Sequence, residues 1–340
     1  MSVIGVLTAG GDCPGLNAVI RAVVTRSLQH DNEVLGILNG WEGLMQGRTR
    51  HLDRDDVRGI VAKGGTILGT SRLDPYVHGD GYASIERTMR SNDIDSVVVI
   101  GGDGTLRSAL KLAEEGLPVV GVPKTIDNDI AATDVTFGFN TAVEIATEAI
   151  DRITTTAEAH NRIMLVEVMG RTKGWIATWA TIASGGDALL IPEVPYDIDE
   201  VARIIKARHR RGHRYSIVVV SEGVEPPDDE TLPDQIDAFG FKRLGGVAYQ
   251  IAPHLEQRTG FETRVTVLGY LQRGGTPTAY DRVLGTRFGV KAADLAAQGQ
   301  AGVMVAARGT EMVAVPLADA CVEIRGVDPE LYDTAATFFG

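Results

Sequence analysis

The chain of 340 residues has 44% hydrophobic and 23% charged residues, a composition typical of a globular protein with two α/β domains or one large unit. Its formal net charge of −12 argues against a nucleic acid or an anionic membrane surface as the partner. Only two cysteines occur, too few for a disulfide framework, so we expect a cytoplasmic protein.

Short apolar runs alternate with amphipathic stretches along the chain, which is the pattern of a parallel sheet covered by helices. No apolar run approaches the length of a membrane span, and we expect no leader segment. The stretch 225–240, rich in Pro, Asp and Glu, is predicted to form a surface loop. Strands are predicted over 2–8, 34–38, 97–100, 118–122, 163–168, 216–220 and 264–268. Helices are predicted over 15–30, 105–116, 139–157, 175–184, 198–211 and 246–259.

A glycine-rich turn over residues 8–17 follows the first predicted strand and opens a helix. Its glycines permit positive φ and let backbone N–H groups approach a phosphate at the helix N-terminus. The same residues would also suit an ordinary tight turn between a strand and a helix. The glycine spacing differs from that of the dinucleotide fingerprint, and no acidic residue ends the second strand. A Rossmann oxidoreductase is therefore disfavoured.

A second glycine-rich turn, residues 101–105, follows the strand predicted over 97–100 and places a carboxylate, Asp103, among its glycines. Glycines bring the backbone close to phosphoryl oxygens, and Asp103 can hold Mg²⁺, which prefers carboxylate and phosphate oxygens. The alternative is a turn in which Asp103 caps the following helix. Kinases of sugars, lipids and nicotinamide dinucleotides all carry versions of this turn, so it indicates the donor and leaves the acceptor open.

A third polar segment, Pro123 to Asp129, follows the strand predicted over 118–122 and is expected to form a loop. It contains Lys124, Thr125 and two aspartates, Asp127 and Asp129. In α/β proteins such loops share one edge of the sheet and hold the site. Two carboxylate-bearing loops at one edge indicate phosphate chemistry with a metal and a base.

Taken in order, the motifs resemble those of bacterial-type 6-phosphofructokinases, in particular the mixed actinobacterial lineage. The resemblance extends over nearly the whole chain. It rests on the turn at 8–17, GTSR at 69–72, the turn at 101–105, PKTIDND at 123–129, EVMGR at 167–171, SEG at 221–223 and TVLGYLQRGG at 266–275.

The resemblance implies two Rossmann-like three-layer α/β/α domains with mainly parallel sheets and an active site in the cleft between them. The domain for ATP and Mg²⁺ would comprise 1–138 plus about 272–320. The domain for fructose 6-phosphate would comprise 139–271, with a C-terminal tail over 321–340. The residues that would bind the donor are Gly11, Arg72, Gly102, Asp103, Gly104 and Thr105, with Asp103 as the metal ligand.

The resemblance also implies the roles of the residues that act on the acceptor. Asp127 would be the base for the 1-hydroxyl of fructose 6-phosphate, and Thr125 and Asp129 would hold the transferring group. Arg171 is expected to be catalytic as well. The residues that would bind the sugar phosphate are Thr125, Asp127, Arg162, Met169, Gly170, Arg171, Glu222, Arg264, Tyr270 and Arg273.

In the family, the arginines that match Arg162 and Arg264 reach the site of a neighbouring subunit, so we expect a homodimer or a homotetramer. Tyr270 departs from the family pattern, because the well-studied allosteric members carry histidine there. A phenol can still donate one hydrogen bond to a phosphate but cannot become cationic near neutral pH. The positions of the family's effector pocket also differ, so no effector is carried over.

Two positions bear on the phosphoryl donor, and they disagree. Pyrophosphate-using members generally carry aspartate where this chain has Gly104, and its charge would repel a nucleotide α-phosphate. Lys124, in contrast, is typical of the pyrophosphate enzymes, since the familiar ATP enzymes have glycine there. We favour ATP, with a pyrophosphate-dependent phosphotransferase as the alternative. A catalytically silent regulatory subunit and a kinase for another small molecule are further alternatives, and use of sedoheptulose 7-phosphate stays open.

Overall fold

The computed structural model describes residues 1–77, 80–226 and 244–340, which contain twelve strands and eleven α-helices. The strands are β1 (Val3–Thr8), β2 (Glu33–Ile37), β3 (Thr49–His51), β4 (Ile94–Gly101), β5 (Val119–Thr125), β6 (Phe137–Gly138), β7 (Ile163–Val168), β8 (Ala188–Leu190), β9 (Ser216–Ser221), β10 (Thr263–Val267), β11 (Val303–Arg308) and β12 (Glu311–Pro316). The helices are α1 (Leu16–Gln29), α2 (Gly40–Met45), α3 (Gly81–Ser91), α4 (Asp103–Glu114), α5 (Phe139–His160), α6 (Trp175–Ser184), α7 (Ile198–Arg210), α8 (Val247–Thr259), α9 (Ala279–Ala297), α10 (Leu317–Ala320) and α11 (Pro329–Ala336).

The chain divides into two compact units. The first comprises Met1–Asn140 and Arg273–Ile324, and the second comprises Thr141–Gln272 and Arg325–Gly340. The function of each unit, inferred above from the resemblance, stays a prediction. No helix in the described parts of the chain combines the length and the apolar character that a membrane crossing requires.

The first unit is built on an eight-stranded sheet in the order β12-β11-β5-β4-β1-β2-β3, with β6 paired to β5. Its central strands are parallel, and among the described residues of this sheet the antiparallel pairs are β11 with β12 and β2 with β3. Strand β4 is a nearly continuous buried apolar run, which is typical of a parallel strand covered on both faces. The carboxyl ends of β1, β4 and β5 meet at one edge of this sheet.

The second unit holds a four-stranded sheet in the order β10-β7-β9-β8, in which every pair is parallel. Glu167 is a carboxylate buried within β7, and it accepts hydrogen bonds from the N–H groups of Gly246 and Ala248 at 2.7 and 2.9 Å. Gly246 immediately precedes α8 and Ala248 lies in its first turn, where an anion is stabilised by the helix dipole. Glu167 therefore ties α8 to the sheet. The predicted α/β class with mainly parallel sheets is confirmed.

Two predicted boundaries at the sheet edge are wrong. Strand β5 does not stop at Pro123 but continues through Thr125, because the two-residue strand β6 pairs with it at Lys124 and Thr125. Helix α4 begins at Asp103 rather than at 105, so Asp103 lies in its first turn. The predicted loop over 225–240 lies outside the described residues from 227 onward.

Candidate active site

The glycine-rich turn after β1 packs against the segment that carries Arg72. The N–H of Gly10 donates to the carbonyl oxygen of Ser71 at 2.9 Å, and the Thr70 hydroxyl donates to the carbonyl oxygen of Gly10 at 2.6 Å. The Thr8 hydroxyl donates to the carbonyl oxygen of Gly69 at 2.7 Å. These contacts bring the exposed Arg72 close to the first glycine-rich turn, although about sixty residues of chain separate them.

Gly11 lies against the guanidinium of Arg273. A Cβ atom on Gly11 would lie 2.0 Å from Nη1 of Arg273, so a side chain at position 11 would displace the guanidinium. Arg273 ends the 3₁₀ helix Gly269–Arg273 and precedes α9 in sequence. The structure thus places Arg273, which is predicted to bind the sugar phosphate, beside Gly11, which is predicted to bind the phosphoryl donor.

Lys124 is the second cation at this edge, and its side chain is buried. Its ammonium group donates a hydrogen bond to the carbonyl oxygen of Gly11. Burial lowers the pKa of Lys124, and the nearby Arg273 lowers it further, whereas Cys13, Asp127 and Asp12 oppose the shift. Lys124 therefore stabilises the main chain of the first glycine-rich turn through the carbonyl oxygen of Gly11.

The second glycine-rich turn meets the first through Thr105. Its hydroxyl oxygen lies 3.3 Å from the position that a Cβ on Gly10 would occupy. Gly102 is the extended residue immediately before α4, and a Cβ on Gly101 would lie only 2.3 Å from Cβ of Thr105. The absence of a side chain on Gly10 thus leaves room for Thr105 beside the first turn, and its absence on Gly101 makes room for Thr105 within the second turn.

Asp103 and Gly104 form the start of α4, and they face different surroundings. The Asp103 carboxylate forms an ion pair with Arg107, whose Nε lies 2.9 Å from Oδ1 and 3.1 Å from Oδ2. Gly104 is exposed, and apart from its chain neighbours and the backbone of α4, no atom of the described residues lies within 4 Å of where its Cβ would stand. A side chain at position 104 would consequently extend into space that the described residues leave open.

The segment after β5 is buried and is held by hydrogen bonds. The N–H of Asp127 donates to the Thr125 hydroxyl at 3.0 Å, and the Thr136 hydroxyl donates to the carbonyl oxygen of Thr125 at 2.9 Å. The N–H of Thr136 donates to Oδ1 of Asn128, a residue with φ of 53°. Asp127 and Asp129 are 4% and 5% exposed. The carboxylates thus stand on a short segment fixed at both ends.

In the second unit, four predicted residues follow the carboxyl ends of β7 and β9. Met169, Gly170 and Arg171 form a turn in which Gly170 has φ of 148° and Arg171 has φ of 52°. Oε1 of Glu222 accepts hydrogen bonds from the N–H groups of Gly170 at 3.3 Å and of Arg171 at 2.9 Å. The structure therefore brings these four residues together at one end of the sheet.

Arg162 and Arg264 lie at the opposite end of the same sheet. Arg162 immediately precedes β7, and Arg264 is the second residue of β10. Both side chains contact Glu262, Arg162 through Nε at 2.7 Å. Since β7 has six residues, about 20 Å separate these arginines from the turn at Arg171.

Tyr270 lies in the 3₁₀ helix Gly269–Arg273, and 71% of its surface is exposed. Two further residues of the site region were not predicted from the sequence, Arg107 and Glu262. The spacing of Asp103 and Arg107 is that of an ion pair within a helix, and this signal could have revealed Arg107. No local pattern marks the ion pair of Glu262 with Arg162, since one hundred residues of chain separate the two.

A magnesium ion would find one suitable carboxylate at the start of α4, that of Asp103. Among the described residues, no group of three or more His, Cys, Asp or Glu side chains could form a metal cage. Mg²⁺ commonly binds through one or two carboxylates, with the remaining positions taken by water and substrate phosphates. The residues present therefore fit a magnesium ion that arrives with a phosphate donor. To bind the ion, the Asp103 carboxylate would either keep its contact with the Arg107 guanidinium or give up that contact.

Comparisons with known proteins give consistent matches. The family model for phosphofructokinase matches residues 3–296. The chain is 54% identical over 341 residues to the ATP-dependent 6-phosphofructokinase of Mycobacterium tuberculosis, with 99% of each chain covered. It is 52% identical over 340 residues to the pyrophosphate–fructose 6-phosphate 1-phosphotransferase of Amycolatopsis methanolica, again with 99% of each covered. The solved phosphofructokinase of Pichia pastoris matches with a TM-score of 0.83 and 34% identity, and the match covers 94% of this chain but 37% of the yeast chain.

Proposed function

The chain belongs to the phosphofructokinase family, and we propose that it is an ATP-dependent 6-phosphofructokinase. It transfers the γ-phosphoryl group of ATP to the 1-hydroxyl of fructose 6-phosphate, which gives fructose 1,6-bisphosphate and ADP in glycolysis. Family membership over residues 3–296 supports the reaction. The observation that carries the choice of donor is the open space beside Gly104.

Asp127 acts as the general base in this proposal. Its carboxylate stands on the buried segment after β5, and it accepts the proton of the 1-hydroxyl as that oxygen attacks the γ-phosphorus. The Thr125 hydroxyl and Asp129 would hold the transferring group and water bound to the metal. The hydrogen bond from the Asp127 N–H to Thr125 supports this assignment, because it fixes the base relative to the hydroxyl.

The proposal includes a magnesium ion, which would neutralise charge on the phosphates of the donor when bound. Asp103 would hold it, together with oxygens of the nucleotide. Gly11, Gly102 and Thr105 line the meeting point of the two glycine-rich turns, where main-chain N–H groups can receive phosphate oxygens. Arg72 supplies positive charge from the segment beside the first turn.

The residues that bind the sugar phosphate in this proposal come from several segments of the chain. Arg171 contacts a phosphate, Glu222 accepts hydrogen bonds from sugar hydroxyls, and Met169 and Gly170 shape the cavity. Arg273 and Tyr270 bind the phosphate of fructose 6-phosphate. Guanidinium groups suit a phosphate dianion because they present paired donors in one plane.

Arg162 and Arg264 bind the sugar phosphate of a neighbouring subunit, so the active enzyme is a homodimer or a homotetramer. Their separation from Arg171 by about the length of a strand supports this assignment, because one small substrate cannot span that distance. The ion pairs with Glu262 keep both guanidinium groups on one surface of the second unit. A cytoplasmic location completes the proposal.

Pyrophosphate is the second candidate donor, and Lys124 favours it. Relatives named for pyrophosphate occur at 52% identity, only slightly below those named for ATP at 54%. Against this stands the contact between the Lys124 ammonium and the carbonyl oxygen of Gly11, since it gives the lysine a structural reason to be present. We therefore keep ATP as the donor.

A coupled assay for fructose 1,6-bisphosphate tests the reaction. Purified protein with fructose 6-phosphate, ATP and Mg²⁺ is expected to form the bisphosphate and ADP in equal amounts. Asp127→Ser is expected to reduce kcat by at least about 100-fold, the usual contribution of a general base. Unchanged turnover in this variant would refute the mechanism, and absence of bisphosphate with every donor would refute the function.

A further inference from the structure

Arg107 contacts the candidate metal ligand from one helical turn further along α4. Its Nε lies within hydrogen-bonding distance of both carboxylate oxygens of Asp103, at 2.9 and 3.1 Å. The Asp103 side chain is 16% exposed, whereas that of Arg107 is 43% exposed. The guanidinium is therefore the accessible partner of the pair, and it can reach a ligand without rearrangement of the helix.

Arg107 also lies on the helix surface next to Gly104. The two residues are three positions apart, and residues at this spacing are neighbours on one face of a helix. Gly104 is exposed and has open space where a side chain would stand. A phosphate group that occupied this space would lie within reach of the long arginine side chain, whose five N–H donors and permanent charge suit it.

The other cation of α4 is engaged elsewhere. The Lys111 ammonium lies 5.0 Å from the centroid of the Tyr76 ring, where a cation–π contact stabilises it. Ser108, the next residue after Arg107, donates to the carbonyl oxygen of Gly104 at 3.1 Å and so offers no charge to a ligand. Within α4, Arg107 is therefore the cation placed to serve the space beside Gly104.

We propose, on the basis of the function proposed above, that Arg107 is a specificity-determining residue of the donor site: it holds the Asp103 carboxylate while the site is empty and contacts the α-phosphate of a nucleotide donor beside Gly104. A pyrophosphate donor has two phosphoryl groups and none at that third position. Arg107 consequently strengthens the binding of nucleotides and leaves the binding of pyrophosphate nearly unchanged.

The test compares Arg107→Met with the wild-type protein and with Arg107→Lys. Methionine keeps the helix propensity and removes the charge, and lysine restores charge without the planar fork. We expect Arg107→Met to raise KM for ATP about tenfold, the effect of losing one charge-assisted hydrogen bond. KM for fructose 6-phosphate is expected to stay within about twofold of the wild-type value. KM for ATP of Arg107→Lys is expected to lie between those of the wild type and Arg107→Met.

A binding measurement without turnover provides the second readout. Titration calorimetry with ADP in the absence of metal is expected to show about tenfold weaker binding to Arg107→Met, whereas pyrophosphate binding changes by less than about twofold. Arg90→Met is the matched control, because Arg90 on α3 forms the same type of ion pair with Glu86, at 2.7 Å. This control is expected to bind ADP like the wild type.

Two results would overturn the proposal. One is unchanged KM for ATP together with unchanged ADP affinity in Arg107→Met. The other is an equal loss of affinity for ADP, pyrophosphate and fructose 6-phosphate, since this would give Arg107 a purely structural role in α4. Failure of the proposed function can be distinguished from failure of this proposal. It would appear as absence of ATP turnover in the wild type. Metal-free ADP binding would still measure the contribution of Arg107.

Discussion

Oε1 of Glu222 accepts a hydrogen bond from the main-chain N–H of Arg171 at 2.9 Å, and this contact connects the end of β9 to the turn after β7. Arg171 has φ of 52°, a left-handed conformation that is unfavourable for residues other than glycine. The carboxylate compensates for part of this cost by accepting the turn's N–H groups. Glu222, which we assign to the sugar hydroxyls, thus also holds the backbone of Arg171, which we assign to a phosphate.

Glu222→Ala removes this acceptor and should affect both stability and substrate binding. We expect the free energy of unfolding to fall by about 1–3 kcal/mol, the cost of leaving hydrogen-bond donors without a partner. KM for fructose 6-phosphate should rise at least about tenfold, and KM for ATP should change little. Glu222→Gln keeps an oxygen acceptor and should recover part of the lost stability. Chemical denaturation and steady-state kinetics measure both effects, and an alanine variant as stable as the wild type would contradict the role of this contact.

Arg171→Gly should separate the backbone strain from the side-chain function. Glycine adopts the left-handed conformation at no steric cost, although it also gains entropy in the unfolded chain. We therefore expect the free energy of unfolding to change by less than about 1 kcal/mol, while KM for fructose 6-phosphate rises at least about tenfold. Equal losses of stability and substrate affinity would show instead that the arginine side chain is mainly a structural element.

Lys124 should make the stability of the protein depend on pH in the alkaline range. Burial lowers its pKa below the usual value of 10.5, so between the lowered pKa and 10.5 the unfolded chain retains a proton that the folded chain has released. In that window the contribution of Lys124 to stability rises with pH. The stability of the wild type relative to Lys124→Met should therefore increase as pH is raised towards 10.5. Denaturation curves of both proteins across this range measure the difference, and a difference independent of pH would contradict the shift.

Hybrid oligomers should test whether Arg162 and Arg264 serve a neighbouring subunit. Asp127→Ser and Arg162→Ala are each expected to be nearly inactive alone. When the two variants are unfolded and refolded together, about half of the subunit pairs should contain one chain of each variant. Each such hybrid holds one intact site out of two. About a quarter of the wild-type activity should therefore return. Arg203→Ala, which breaks an exposed ion pair with Glu200 on α7, is the control that should keep full activity when alone. Absence of recovery despite mixed oligomers would assign Arg162 to the site of its own chain.

Much of the fold could be predicted because its strands are apolar runs long enough to stand out. Strands β1, β4, β7 and β9 agree with their predictions to within a few residues, since burial on both faces leaves a continuous apolar signal. The two-residue strand β6 has no such signal and exists only because β5 lies beside it. That pairing extends β5 through Pro123 and Lys124, where local propensity predicts a loop.

The components of the candidate site could be named from the sequence, but their contacts could not. Spacing along the chain gives no indication that Arg273 lies against Gly11, or that Lys124 donates to the carbonyl oxygen of the same glycine. Both contacts arise from the packing of distant segments at the carboxyl ends of parallel strands. The ion pair of Asp103 with Arg107 is different, because its spacing is local and visible in the sequence.

A comparison of phosphoryl donors tests the central claim most directly. Initial rates are measured with fructose 6-phosphate and Mg²⁺ and either ATP or pyrophosphate, for the wild type and for Gly104→Asp. Since the added aspartate would extend into open space, the variant should fold normally. The account predicts that kcat/KM of the wild type is higher with ATP, and that the variant loses about 100-fold or more with ATP, because two like charges a few ångströms apart repel by several kcal/mol. Turnover of the wild type with pyrophosphate and none with ATP would contradict the account.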